Sequence, residues 1–433
     1  MKTVRVITLG CSKNSVDTEH LLATLSAGGY EVLPEDSRSA VDALLVNTCG
    51  FISDAKEESV QAVLEAVECK KQGLAGKVIV FGCLSQRYAA ELPVEIPEVD
   101  AWFGARDLAP IVRYLGVEPG PDTLRYICKP RPYAYLKISE GCDRRCSYCA
   151  IPHIRGAHRS VPVEKLVSEA TCLASRGVRE LILIAQDTTY YGLDIYRKRA
   201  LGDLLRSLSE IDGIEWIRIH YSYPTDFPDD VLTQMAVNPK VCRYLDIPLQ
   251  HISDRVLDSM HRHIDSSKTR ALVERLRKEV PSVALRTTMM VGHPGEGEKE
   301  FDELLEFLKQ VRFERLGAFT YSEEEGTWGA EHLPDEVPEE EKTRRLDALM
   351  SLQAGISLEC NQARVGTVER VLVDDCVDGT LVCRSEFESP EVDGEILVRG
   401  ADPALVGQFI NVRILGADEY DLIAEIVRPE DRQ

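Results

Sequence analysis

Residues 133–152 read YAYLKISEGCDRRCSYCAIP, an apolar run that breaks into three closely set cysteines, Cys142, Cys146 and Cys149. The run has the composition of a buried strand. The C-x3-C-x2-C spacing then places three thiolates on one tight loop. Soft thiolate ligands suit iron–sulfur clusters or zinc. A cubane cluster has four irons, so three protein ligands leave one iron open to a further molecule. Zinc is the competing reading, because structural zinc takes four N or S ligands and His153 or His158 stands close enough in sequence to be the fourth. Zinc sites usually show paired C-x2-C knuckles, and no second knuckle lies nearby. A disulfide framework fits less well, since the 13 cysteines are an odd number and MKTVRVITLG begins as a strand, without a secretory leader. The expected compartment is therefore reducing, the cytoplasm.

From this strand the pattern repeats. RELILIAQ, IEWIRIHY, RYLDIPLQ, VALRTTMMV and RLGAFTY follow, separated by helices beginning near Val163, Leu201, Pro228, Asp254, Lys268 and Glu298. This βα rhythm predicts a parallel barrel of six units, short of the eight of a complete one. Functional groups in such barrels come from the carboxyl ends of strands. Found there are Cys142 to Cys149, Gln186 and Asp187, His220 and Tyr221, Gln250 and His251, and Gly292 to Glu296. Gln186 and Gln250 either face a bound cofactor or satisfy loops. In VGHPGEGEKEF, Gly292 and Gly295 are either a plain turn or a place where backbone approaches a ligand. Arg144 and Arg145 lie inside the cysteine loop, where charge alone leaves cofactor, substrate and solvent open as partners.

Residues 1–128 also alternate strand and helix, with TVRVITLG, VDALLVNT and KVIVFG as parallel strands and an Asn or Ser cap expected on the first helix. Each strand ends in a cysteine: Cys11, Cys49 and Cys83. Ligands of open α/β sheets bind at the carboxyl ends of strands, so these three are a candidate second metal site despite their separation. Cys69, Cys128, Cys172, Cys242, Cys360, Cys376 and Cys383 are assigned to ordinary buried thiols. Residues 129–360 form the barrel segment, which ends in a Glu-rich stretch read as a solvated linker helix. From residue 361 to 433, short β-branched runs broken by Gly and Asp predict a small antiparallel barrel of the OB type.

The formal charge is −21 over 433 residues, unlike that of a simple cationic nucleic-acid binder. The last segment holds seven Arg, no Lys and 16 acidic residues, poorly suited to phosphate backbones. A local basic patch is conceivable around Arg144, Arg145, Arg155 and Arg159. No apolar run approaches the ~20 residues of a membrane span.

The Cys142–Cys149 loop resembles the signature of radical S-adenosylmethionine enzymes, in which Tyr148 would flank the adenine. With Cys11, Cys49 and Cys83 ahead of it and the small barrel behind, nearly the whole chain resembles the methylthiotransferase family. That resemblance implies an N-terminal methylthiotransferase domain, a radical S-adenosylmethionine core and a C-terminal TRAM domain. It also implies two [4Fe-4S] clusters, one on each cysteine triad, and S-adenosylmethionine contacts at Tyr148, Gly292 and Gly295; Gln186 and Gln250, from their place at strand ends, are expected to bind it as well. LGCSKN, GCDRRCSYCAIP, IAQDTTYYG and DIPLQH resemble the branch that methylthiolates the β-carbon of an aspartate in ribosomal protein S12. The branch that modifies an adenosine in tRNA is the nearest rival, and a non-catalytic iron–sulfur sensor is the alternative of another class. The chemistry implied needs an electron donor and no general base, so His220, His251 and Asp187 are expected to position groups only.

Overall fold

The computed structural model describes residues 1–120, 123–127, 131–400 and 402–427. Its first sheet is formed by β1 (Lys2–Thr8), β2 (Tyr30–Val32), β3 (Ala43–Thr48), β4 (Val78–Gly82) and β5 (Ala101–Trp102). They lie in the order β2-β1-β3-β4-β5, parallel throughout. All of β3 and β4 is buried, because helices cover both faces of the sheet. β2 and β5, only three and two residues long, are too short to leave a periodic signal. The chain reverses its winding between β1 and β3, and ligand crevices open at such switch points.

Helix α1 (Ser12–Ala27) begins two residues before the expected Asn or Ser cap, with Cys11 itself at the N-cap and no side-chain cap bond. The cap position thus goes to a cysteine. Helix α2 (Ser53–Lys71) follows β3, and the short α3 (Cys83–Arg87) follows β4 directly.

The central sheet opens with β6 (Tyr133–Lys137); β7 (Ser139–Glu140) and β8 (Arg159–Ser160) then pair as a two-residue antiparallel clamp around the cysteine loop. Next come β9 (Glu180–Ile184), β10 (Trp216–Ile219), β11 (Val241–Asp246), β12 (Ala284–Val291) and β13 (Arg315–Thr320). β6 and β9 to β13 lie side by side in chain order, all parallel, as the six-unit open barrel predicted. Leu136, Leu181, Leu183, Ile217, Leu245 and Leu285 pack outward into one apolar core with the surrounding helices.

The alternate residues turn to the concave side and are largely polar. There the terminal domain enters. Arg384 donates to Glu180 at 2.8 Å, Glu180 also holds Arg218 at 2.7 Å, and Ser389 bonds His220 at 2.7 Å. Glu391 accepts from Tyr135, and Asp393 from Tyr244. The segment 384–393 thus fills the side of the barrel away from the cysteine loop.

Two expectations need correction. The Glu-rich stretch is solvated at Asp335, Glu336, Glu339 and Glu340, but its other side is not a linker face. The helix Glu339–Gln362 packs along β13 and buries Lys342, held by Asp335 and Glu339, and Arg345, held by Glu296. The terminal barrel, built from β14 (Val368–Val377), β15 (Thr380–Arg384), β16 (Ile396–Arg399), β17 (Phe409–Ala417) and β18 (Leu422–Ile426), is not purely antiparallel. It closes in the order β14-β15-β16-β18-β17 with β16 and β18 parallel. Five strands in a closed ring cannot alternate direction all the way round, so one parallel pair is unavoidable. Among the described residues no helix is long and apolar enough to cross a membrane.

A candidate cofactor cleft between the two sheets

Each triad is built at strand ends. Gly10, at φ +88°, turns the chain out of β1, and a Cβ there would stand 2.9 Å from Cys49 Sγ. The loops after β1 and β3 are therefore in contact at Cys11 and Cys49. Ser59 on α2 fixes the Cys49 backbone, donating to its carbonyl and accepting from its N–H at 2.8 and 2.9 Å. Cys83 enters from β4, and Asn14 ties the three loops by donating to Leu9 O and Thr48 O while its Oδ1 faces Cys83 Sγ at 3.8 Å.

In the second loop, the β7–β8 clamp brings the two ends together, and Cys142 N donates to Gly156 O at 3.0 Å. Gly141, at φ +79°, passes so close to Ala157 that a Cβ would lie 2.2 Å from its carbonyl oxygen. Burial pushes the Cys142 and Cys149 thiols up to about 12 and Cys83 to about 11, in the last case against the pull of Arg155. Without a cation to share, these groups remain thiols at neutral pH, and metal loading must release their protons. Among the described residues no three His, Cys, Asp or Glu side chains converge as they would on a single metal ion. A four-iron cluster instead spreads its thiolates over separate irons.

The helix that follows the second triad reaches the first. Arg155, on the helix Ile151–Arg155 just after Cys149, donates from Nε to Cys83 Sγ at 3.2 Å. Its Nη1 pairs with Asp17 of α1 at 2.7 Å and with Glu140 at 3.1 Å. Lys137 joins the same two carboxylates. Burial raises the Glu140 carboxyl, and Lys137 and Arg155 more than reverse this, holding it at about 2. Arg155 is buried and Arg144 is paired with Asp187 at 2.9 Å, so the expected basic patch does not exist as a surface; only Arg145 and Arg159 are exposed.

Most of the expected contact residues line the barrel mouth. Tyr148 packs against Val256, Met260, Met290 and Tyr321, and its hydroxyl accepts from Arg262 at 3.4 Å. Gln186 donates to Glu140 at 2.8 Å. The Oε1 atoms of Gln186 and Gln250, Arg144 Nη2 and Ser147 Oγ are buried without a hydrogen-bond partner. Orphaned polar atoms converging at one mouth, beside three thiols, fit a polar cofactor that would satisfy them. Gln250 holds φ +74°, a strained value for a non-glycine residue, at the β11 end of this mouth. Gly292 leaves its space to Lys342, whose Cγ would be 2.4 Å from a Cβ, whereas Gly295 at φ +91° faces open space.

His220 is buried and held neutral by burial, bonded to Ser389; His251 lies 3.3 Å from Glu296; Asp187 caps Thr189. His158 bonds Ser160 at 3.0 Å and His153 is exposed. Of the cysteines assigned to burial, only Cys242 and Cys383 are fully buried; Cys69, Cys172, Cys360 and Cys376 are half-buried, and Cys128 lies outside the described residues. Sequence reading missed Arg262, which donates to Cys146 Sγ at 3.6 Å, and Tyr223, stacked between Arg144 and Arg262. Neither carries a motif, and only the return of the chain at residue 262 brings them to the loop. A cleft of about 770 Å³ opens on the terminal barrel beside Arg399 and Arg413, and it shares no residue with the cysteine loops.

Comparison with known proteins agrees with this architecture segment by segment. Residues 136–308 match the Radical SAM superfamily, 3–104 the uncharacterized protein family UPF0004, and 365–427 the TRAM domain. The chain is 48% identical over 429 residues to the ribosomal protein uS12 methylthiotransferase RimO of Bacteroides fragilis, covering 98% of this chain and 99% of that one. The chain belongs to the uS12 methylthiotransferase family. The RimO of Porphyromonas gingivalis is 50% identical over 428 residues, with 98% and 99% covered. Among solved structures, the radical S-adenosylmethionine methyltransferase TsrM from Kitasatospora setae superimposes with a TM-score of 0.57 at 14% identity, over 88% of this chain and 81% of that one. At that identity the likeness is one of fold.

Proposed function

We propose that this methylthiotransferase adds a methylthio group to the β-carbon of an aspartate in ribosomal protein S12. The observation that supports the reading is the bond from Arg155, six residues after Cys149, to Cys83, which joins the segment of the second triad to the first. Cys11, Cys49 and Cys83 would hold one [4Fe-4S] cluster, and Cys142, Cys146 and Cys149 the other. Bound clusters and S-adenosylmethionine supply hydrogen abstraction from an unactivated C–H bond and the sulfur-bearing group, which no acid or base side chain can do.

The protein's own residues place and protect. Gln186, Gln250 and Tyr148 offer S-adenosylmethionine two free acceptors and an aromatic wall, while Gly295 leaves room for backbone approach. Arg155 and Arg262 donate to ligand sulfurs and raise their cluster's potential. Asp17, Glu140 and Lys137 close the two domains over the cleft and keep water from it. A reducing partner must deliver electrons. The acidic terminal barrel favours a basic protein substrate over an RNA.

The test is anaerobic: reconstituted enzyme, S-adenosylmethionine and reductant, with S12 and tRNA offered together and both analysed by mass spectrometry. A methylthio adduct on an S12 aspartate, with tRNA unchanged, is the expected result. Modified tRNA, or 5′-deoxyadenosine with neither substrate changed, would overturn the substrate assignment.

A further inference from the structure

The buried cations around the cysteine loops each meet a carboxylate or, for Arg262, the acceptors Cys146 Sγ, Tyr148 Oη and Pro248 O, with one exception among the described residues. Arg155 and Lys137 face Asp17 and Glu140, and Arg144 faces Asp187. Lys13 has no such partner. It sits two residues after Cys11 on the first turn of α1, is 8% exposed, and among the described residues neither a carboxylate nor a hydrogen-bond acceptor meets its ammonium. Its one contact of note is the ring of Tyr221, whose centroid lies 3.5 Å from Nζ. A buried ammonium without an anion is costly, because desolvation weakens the charge and nothing returns the loss.

The residue beneath it is itself strained. Tyr221 holds φ +57°, an outlier for a bulky side chain. It is pinned there by Asp246, which accepts from its N–H at 3.1 Å, and by Thr188 N, which donates to its carbonyl at 3.1 Å. This places the ring just past the carboxyl end of β10, directly under an ammonium that comes from α1. His220, the residue before Tyr221, is held neutral by burial and bonded to Ser389, so it adds no second cation beside Lys13. A buried cation held over an aromatic face, two residues after Cys11 and without a carboxylate partner among the described residues, is a seat for one carboxylate.

We propose that Lys13 binds the side-chain carboxylate of the substrate aspartate and so selects an acidic residue at the target position. The inference rests on the proposed function and names the group that recognises its substrate. A carboxylate on Lys13 Nζ holds the β-carbon one bond from the recognised carboxyl group, beside the Tyr221 ring at the barrel mouth. A neutral amide in the same place would leave the ammonium unpaired, which is how buried polar sites reject near-isosteric substrates.

The experiment is a double-mutant cycle on equilibrium binding. Reconstituted wild-type enzyme, K13M and K13R are titrated with S12 and with S12 in which the target aspartate is replaced by asparagine. Circular dichroism and iron content are measured on each protein to show that it is folded and loaded. Wild type is expected to bind the aspartate form about 10- to 100-fold tighter than the asparagine form, in line with a charge-assisted hydrogen bond. K13M is expected to lose that ratio, and K13R to recover part of it. A K13M protein that keeps the wild-type ratio would overturn the proposal. So would one that weakens both forms equally and shifts the potential of the N-terminal cluster, because the charge would then serve the cluster. The two readings fail separately: wild-type enzyme that methylthiolates no S12 refutes the proposed function itself, whatever Lys13 does.

Discussion

Replacing Arg155 by methionine removes the one side chain that touches a cysteine of the first triad and a carboxylate of each domain. At an effective dielectric near 20, two unit charges separated by the 2.7 Å of the Arg155–Asp17 pair attract by about 6 kcal/mol. Desolvation of the guanidinium offsets several kcal/mol of this, and Lys137 stays with both carboxylates after the change. The net loss is therefore about 3 kcal/mol, below the upper end for a fully orphaned pair. Urea unfolding of the metal-free protein, followed by far-ultraviolet circular dichroism, reads this loss as an earlier midpoint at unchanged slope. In the loaded protein, loss of the donor to Cys83 Sγ makes the N-terminal cluster harder to reduce, read by electron paramagnetic resonance during a redox titration. R155K, which keeps the charge without the fork, falls between. An R155M protein as stable as wild type would refute the claim that this arginine joins the two sheets, and an unmoved potential would refute its role at Cys83.

Other perturbations follow from the same geometry. The Glu140 carboxyl is held at about 2 by Lys137 and Arg155 against its burial, below the ~4.3 of an unfolded glutamate. Its contribution to stability is full above about pH 4.3 and fades as pH falls toward 2; E140Q flattens that part of the unfolding profile, and an identical profile would count against the pairing. In the metal-free protein at pH 8, iodoacetamide should label exposed Cys11 well before Cys83, whose thiol is buried and pushed up to about 11; peptide mass spectrometry gives the order, and equal rates would contradict the burial. G10A puts a methyl group 2.7 Å from Cys49 Cβ at φ +88°, costs about 1–2 kcal/mol in backbone strain alone, and should lose the iron of the first triad while keeping that of the second. R384M leaves Glu180 with only Arg218 and Asp374 without its partner; a loss of about 3–5 kcal/mol and faster hydrogen exchange across residues 384–393 are expected.

Much of the site was legible because its chemistry is local. Cys142, Cys146 and Cys149 announce themselves by spacing, and Cys11, Cys49 and Cys83 by standing where buried strands stop. The six βα units and the helices between them follow from apolar runs whose length and composition suffice to place them. What went unread depended on partners far along the chain. Arg155 looked like surface charge until Asp17 and Glu140 buried it, and Lys342 looked like part of a solvated run until the helix Glu339–Gln362 packed on β13. β2 and β5 were invisible because two or three residues carry no period.

Sequence alone determined the longer strands and helices, the direction of the six central strands and the two sets of thiols, since each is encoded within a few tens of residues by periodicity, turn chemistry and ligand spacing. Tertiary structure decided that Arg155, just after the second set, meets Cys83 of the first, that the terminal domain fills the barrel's concave side, and which cations have anions. Those facts are sums of long-range electrostatics and packing, where a residue's role depends on what folding brings beside it. Lys13 differs from Lys137 in nothing but that: both are lysines near the cleft, and only one of them has a carboxylate waiting.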